Sequence, residues 1–177
     1  IALTVIFYSF LAPFLANYFN VKGQLKEGVL ILGAHYWGRE IGRILKLNGL
    51  EVLIVDTNKE NTQRAIEQDL RVINGSIMAP DVWRKIEFGN MGTLLAITSN
   101  NELNLLSVSE YAAMMGHKSV YRLCPSDKIL QDSNLPANNP YGKILFARFV
   151  TYDLLMSTFQ DDNLLFSIEV TETNSFE

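Results

Sequence analysis

Short runs of apolar residues alternate with amphipathic stretches through the middle of the chain. Five of these runs predict strands, at residues 29–32, 52–55, 71–74, 94–98 and 120–123. The stretches between them predict helices, at residues 38–48, 61–70, 80–86 and 100–115. Strands that alternate with helices through short loops imply right-handed crossovers and parallel pairing. We therefore predict an α/β fold, a doubly wound parallel sheet with strand order 3-2-1-4-5.

The start of the chain is apolar throughout. Residues 1–21 contain no charge, and Lys22 and Lys26 follow them closely. A helix of this length spans roughly 30 Å, the thickness of a bilayer core. A secretory signal is one alternative, but the segment lacks the basic n-region and the cleavage site of such a signal. A buried amphipathic helix is another, but its apolar residues would form a stripe, whereas here they surround the helix. We expect the end of a transmembrane helix with its lysines on the cytoplasmic side, in a chain that begins at Ile1 because it is part of a longer protein.

The end of the chain predicts a small appendage. Residues 124–141 contain three prolines and several Asn and Ser residues, which is typical of a loop or linker. Apolar and polar residues alternate at 166–170, which predicts one half-buried strand. The expected organisation is a membrane segment at 1–21, a Rossmann-like domain at 22–124, and a linker with a small helix-strand extension at 125–177.

Composition excludes several classes of protein. With 177 residues, of which 48% are hydrophobic, the chain is large enough for one cored domain. Its single cysteine, Cys124, excludes a disulfide framework and a cysteine-based zinc site. The net charge of −4 and the 15 scattered Lys and Arg residues argue against nucleic acid as a partner.

The loop after the first strand carries the candidate chemistry. It reads Gly33-Ala34-His35-Tyr36-Trp37-Gly38, which matches the first and third glycines of the dinucleotide fingerprint G-x-G-x-x-G. Arg39 follows at the start of the helix, where unpaired N–H groups favour an anion. Asp56 ends the second strand, the position from which a carboxylate binds ribose hydroxyls. This pattern predicts a site for NAD(H) or another adenine nucleotide (AMP, ADP or ATP).

His35 replaces the middle glycine of the fingerprint, and two interpretations are open. The imidazole occupies space where the backbone should meet the phosphates, which would weaken binding. It could also donate a hydrogen bond to a phosphate, most strongly when protonated.

Taken together, the segments 29–63, 73–76, 94–108 and 120–123 resemble the TrkA N-terminal (RCK) domain, the nucleotide-binding regulatory module of potassium channels and transporters. The motifs GAHYWGREIG, VDTN, NELN and YGKILF are similar to the cytoplasmic tail of NhaP-type sodium(potassium):proton antiporters. The resemblance implies phosphates over Gly33–Arg39 and ribose at Asp56. It also places Asn58 nearby, Gly75 and Ser76 beside the adenine, and Thr98 at the lip of the fourth strand. Ser76 stands where many relatives have Asp.

The resemblance implies a function in cation transport. We expect a cytoplasmic nucleotide-sensing domain at the inner membrane, joined to its own transmembrane transport domain and homodimeric. The alternatives are a dimerisation domain with a degenerate nucleotide site and a small NAD-dependent oxidoreductase. No set of catalytic residues or metal-ligand spacing stands out in the sequence, so we expect neither an enzyme nor a metal site.

Overall fold

A computed structural model describes residues 28–88, 90–115, 119–125, 142–146 and 150–159. The predicted membrane segment at 1–21, most of the linker and the strand predicted at 166–170 lie outside the described residues. Within the described ranges, no helix has the length and apolar character needed to cross a membrane.

Strands and helices alternate along the chain, as the pattern predicts. The strands are β1 (Gly28–Leu32), β2 (Val52–Asp56), β3 (Arg71–Asn74), β4 (Met91–Ala96), β5 (Val120–Arg122) and β6 (Lys143–Ile144). The helices are α1 (Tyr36–Leu47), α2 (Lys59–Glu67), α3 (Pro80–Lys85), α4 (Asn101–Met115) and α5 (Tyr152–Phe159).

The described strands form one parallel sheet with the order β3-β2-β1-β4-β5-β6. The doubly wound, Rossmann-like fold predicted from the sequence is therefore confirmed. The sheet has one strand more than predicted, because β6 is only two residues long and leaves no periodic pattern in the sequence.

Both faces of the sheet are covered. Leu30 and Leu32 of β1 belong to one buried apolar cluster, and Val29 and Ile31 belong to the other. Successive side chains of a strand point to opposite faces, so an uninterrupted apolar run is what a sheet with helices on both sides requires.

Helices α1 and α2 begin two residues earlier than predicted, because polar side chains cap them. The ring of His35 accepts a hydrogen bond from the Gly38 amide, and the Asn58 side chain accepts one from the Asn61 amide. An N-cap satisfies amide donors that the first helical turn leaves open. Both caps lie next to the crevice where the strand order reverses.

Candidate functional site

A cleft of about 410 Å³ opens at the carboxyl ends of β1, β2 and β4. This is the place where doubly wound sheets bind their ligands, because the crossovers on either side of β1 leave a crevice. Most of the predicted site residues line it: Gly33, His35, Asp56, Asn58, Gly75, Ser76 and Thr98. Nine lining residues were not among the predicted site residues: Leu32, Val55, Thr57, Asn61, Ile77, Ser99, Asn100, Leu103 and Tyr152.

Asp56 holds the loop between β1 and α1. One carboxylate oxygen accepts a hydrogen bond from the Ala34 amide at 2.6 Å, and the other accepts one from the Asn58 amide at 2.9 Å. Each carboxylate oxygen has two lone pairs, so the group can still accept a bond from a ligand hydroxyl. The carboxylate therefore organises both loops at the mouth of the cleft and presents negative charge to it.

Gly33 makes the turn that leads from the sheet into the cleft. Its φ of +114° is in a region that side chains disfavour, and a Cβ there would lie 2.9 Å from Nε2 of His35. The first glycine of the fingerprint is thus required by the backbone and by the imidazole beside it.

The His35 ring is fixed inside the protein. Its Nε2 donates to the carbonyl of Ile97 at 2.9 Å, while Nδ1 accepts from the Gly38 amide at 3.2 Å. The ring also packs against Trp37 and Tyr152, with centroid distances of 4.2 Å and 5.3 Å. Both nitrogens are bound to protein atoms, which fixes one neutral tautomer.

The surroundings of His35 favour its neutral form. Burial lowers the pKa of His35 to about 4, and the nearby Asp56 carboxylate only partly offsets this effect. The neutral ring has no N–H left to give a phosphate. His35 therefore fills the position of the middle glycine with a ring whose two nitrogens are both bound to protein atoms.

Gly38 and Arg39 are not among the lining residues of the cleft. A Cβ on Gly38 would lie 2.3 Å from the Gly33 carbonyl oxygen, so Gly38 allows α1 to approach the turn. The buried Arg39 guanidinium donates to the carbonyl of Ala34 at 2.7 Å and to Gln68 at 3.2 Å. The Arg39 guanidinium, expected from the sequence beside the phosphates, is directed here to a backbone carbonyl and to the residue that caps the end of α2.

The far wall of the cleft is built from the loop after β3. The Gly75 amide donates to the carbonyl of Asp56 at 2.9 Å, which joins this loop to the end of β2. The Ser76 hydroxyl accepts from the Met78 amide at 3.3 Å and lies at the exposed lip. Asn58 lines the cleft while it caps α2.

The loop between β4 and α4 is held by a buried amide side chain. Asn104 accepts from the Thr98 amide at 3.1 Å and from the Thr98 hydroxyl at 2.7 Å, and it donates to the Thr98 carbonyl at 2.8 Å. Only 1% of Asn104 is exposed. Thr98 therefore stands at the predicted lip of β4 in a fixed orientation.

Tyr152 is the lining residue that sequence reasoning missed most completely. It begins α5, and a bridge between Cys124 and Thr151 brings this helix beside the sheet. The available signal was Thr151, a good N-cap residue before an apolar helical segment. Burial raises the pKa of Tyr152, so its hydroxyl stays protonated at neutral pH.

The charge in the described lining of the cleft is negative. The described lining contains no Lys or Arg, and its only carboxylate is that of Asp56. In the described ranges, no group of three or more His, Cys, Asp or Glu residues is placed to hold a metal ion. The arrangement can accept hydrogen bonds from hydroxyl groups and cover an apolar ring with Leu32, Val55 and Ile77.

Comparisons with known proteins agree with this geometry. One solved structure with the same fold is the NAD(P)-binding domain of an exopolyphosphatase-related protein from Archaeoglobus fulgidus, at 16% identity and a TM-score of 0.53, covering 76% of this chain and 96% of that one. Another is the TrkA-N domain of the inner membrane protein ybaL from Escherichia coli, at 11% identity and a TM-score of 0.55, covering 77% of this chain and 97% of that one.

No curated protein matches the sequence. The family profile of the TrkA-N domain matches residues 29–128, which is more than half of the chain and includes β1 to β5 with the loops of the cleft. The chain therefore belongs to the TrkA-N domain family.

Proposed function

We propose that the chain is a ligand-sensing regulatory domain of a monovalent cation:proton antiporter or a potassium transport protein, on the cytoplasmic side of the cell (inner) membrane. The observation that carries the proposal is the cleft at the strand-order reversal, with the Asp56 carboxylate at its mouth. The resemblance to antiporter tails and the membership in the TrkA-N family support the transport context.

We propose a ligand that contains adenosine, as in NAD(H) or an adenine nucleotide. Its ribose hydroxyls would donate to Asp56, and its base would lie between the apolar side chains of Leu32, Val55 and Ile77. The NAD(P)-binding domain from Archaeoglobus fulgidus, which has the same fold, supports this class of ligand.

Regulation follows from the number of elements that meet at the cleft. A ligand there contacts the loops after β1, β2, β3 and β4 as well as Tyr152 of α5. A ligand that binds one arrangement of these elements better than another shifts the equilibrium between them. We propose that this shift, in a homodimer joined to its transmembrane transport domain, sets the rate of transport.

The proposal includes no reaction on the ligand. The ionisable side chains of the described lining are His35, Asp56 and Tyr152. The pKa of His35 is lowered to about 4 and that of Tyr152 is raised, so neither is poised to exchange protons near pH 7. A specific observation favours one other candidate, a dimerisation domain with a degenerate site, because the His35 ring fills the position of the middle glycine.

The test measures transport and binding in the transport protein that carries this chain. In proteoliposomes, we expect NAD(H), an adenine nucleotide or adenosine to change cation-driven proton flux at least about threefold, and Asp56→Ala to remove that response. Asp81→Asn, which removes an exposed carboxylate outside the cleft lining, should respond like the unmodified protein. If no ligand changes the flux or raises the melting temperature, the sensing function is wrong and the dimerisation domain replaces it.

A further inference from the structure

Four backbone amides of the phosphate loop are bound within the protein. The Ala34 amide donates to Asp56, and the Gly38 amide donates to His35. The Gly33 amide donates to the Val55 carbonyl, and the Arg39 amide donates to the His35 carbonyl. Phosphate sites at the start of a helix depend on backbone N–H groups that point at the ligand. Of these groups in the first turn of α1, the Gly38 amide is already bound to the His35 ring.

The electrostatics of the cleft disfavour an anion as well. Its described lining contains the Asp56 carboxylate and no cationic side chain. Arg39, the cationic residue that follows the loop, donates to the Ala34 carbonyl and to Gln68. A phosphate in this cleft would therefore meet no cationic partner in the described lining.

Aromatic rings take the space that the pyrophosphate of a dinucleotide uses. The middle glycine of the fingerprint lets the backbone approach the pyrophosphate, and here His35 stands in its place. The ring is held between the Ile97 carbonyl and the Gly38 amide, with Trp37 and Tyr152 against it. Trp37 is fully buried, so the His35 ring cannot turn away without disturbing the core.

The remaining surface suits an uncharged nucleoside. The volume of about 410 Å³ lies near the lower end of the roughly 300–1,000 Å³ typical of small-molecule sites. The Asp56 carboxylate can accept from hydroxyls, and Leu32, Val55 and Ile77 supply an apolar part of the lining. We infer that the cleft selects a phosphate-free nucleoside such as adenosine over the nucleotides that carry the same base. The inference rests on the proposed sensing function and names the class of ligand that is sensed.

The experiment is a calorimetric titration of the full 177-residue chain in detergent with adenosine, AMP and NAD⁺ at the same ionic strength. We expect adenosine to bind at least about tenfold more tightly than AMP and NAD⁺, because only the latter two carry phosphate charge for which the described lining offers no cationic partner. Binding of AMP or NAD⁺ that equals or exceeds that of adenosine overturns the inference and leaves the sensing function intact. Binding of none of the three overturns the sensing function itself.

A variant tests the part assigned to His35. His35→Ser keeps a side chain that caps helices well and removes the imidazole volume. We expect its preference for adenosine over NAD⁺ to narrow about tenfold, with a melting curve that shows the variant is folded. An unchanged preference in a folded variant shows that His35 does not exclude the pyrophosphate. If the variant does not fold, the comparison of the three ligands on the unmodified chain decides.

Discussion

Single residues decide what the cleft accepts, and His35 has the largest effect. Its ring caps α1, bonds the carbonyl beyond β4 and occupies the position of a glycine in the fingerprint. His35 departs from the glycine of the fingerprint, but it has a structural role. Its ring joins the loop after β1 to the end of β4. Burial keeps the ring neutral by lowering its pKa, and the bond to the Ile97 carbonyl opposes this effect only in part.

The low pKa of His35 predicts a pH dependence of stability. The folded-state pKa is about 4 against 6.5 for a free histidine, so protons bind the unfolded chain more tightly. The stability that the neutral His35 ring contributes to the folded state is fully present above pH 6.5. As the pH falls toward 4, up to about 3 kcal/mol of the free energy of unfolding is lost. Two charged groups near the ring have opposing effects on the pKa of His35: Asp56 raises it and Arg39 lowers it.

Chemical denaturation at several pH values measures this loss. The fall in the free energy of unfolding between pH 6.5 and 4.5 should be smaller in His35→Ser than in the unmodified chain, since other groups titrate in both proteins. Parallel pH profiles of the two proteins would mean that His35 is not buried as a neutral ring.

At the scale of elements, the cleft depends on loops that are fixed by polar side chains. Asn104 joins the first turn of α4 to the end of β4 through three hydrogen bonds to Thr98. Asn58 and Asp56 do the same between β2 and α2. Loops fixed in this way keep the lining residues in place before a ligand arrives.

We predict that Asn104→Ala lowers the free energy of unfolding by about 1–3 kcal/mol, because it leaves the partly buried Thr98 amide and carbonyl without this partner. Asn101→Ala is the matched control, since Asn101 lies in the same turn of α4 at a more exposed position. Surface substitutions usually change stability by less than about 0.5 kcal/mol. Equal effects of the two substitutions in urea denaturation would contradict the role given to Asn104.

The elements also show which parts of the cleft can be predicted from the sequence. Gly33 and Asp56 are local signals at the ends of apolar strands, and the sequence placed both at the cleft. The sequence could not predict where the Arg39 side chain points. One of its hydrogen-bond partners is Gln68, which is distant in sequence but near in the fold. Tyr152 reaches the cleft only through the pairing of Cys124 with Thr151, and no local pattern encodes such a contact.

At the scale of the whole molecule, the cleft connects the sheet to the C-terminal part of the described chain. The sheet contributes the loops after four of its strands, and α5 contributes Tyr152. Tyr152 contacts both His35 and Trp37. A ligand in the cleft would therefore act on the packing of α5 against α1, which gives the proposed regulation a route through the domain.

The central claim is that the cleft binds the nucleoside part of a ligand at Asp56. The most direct measurement is the change in ¹H–¹⁵N chemical shifts of the full chain in detergent when adenosine is added. The account predicts that the largest shifts fall on the amides of Ala34 and Asn58, which donate to the Asp56 carboxylate. The exposed Leu47 at the far end of α1 should not shift. Shifts that are absent, or that leave Ala34 and Asn58 unchanged, would contradict the account.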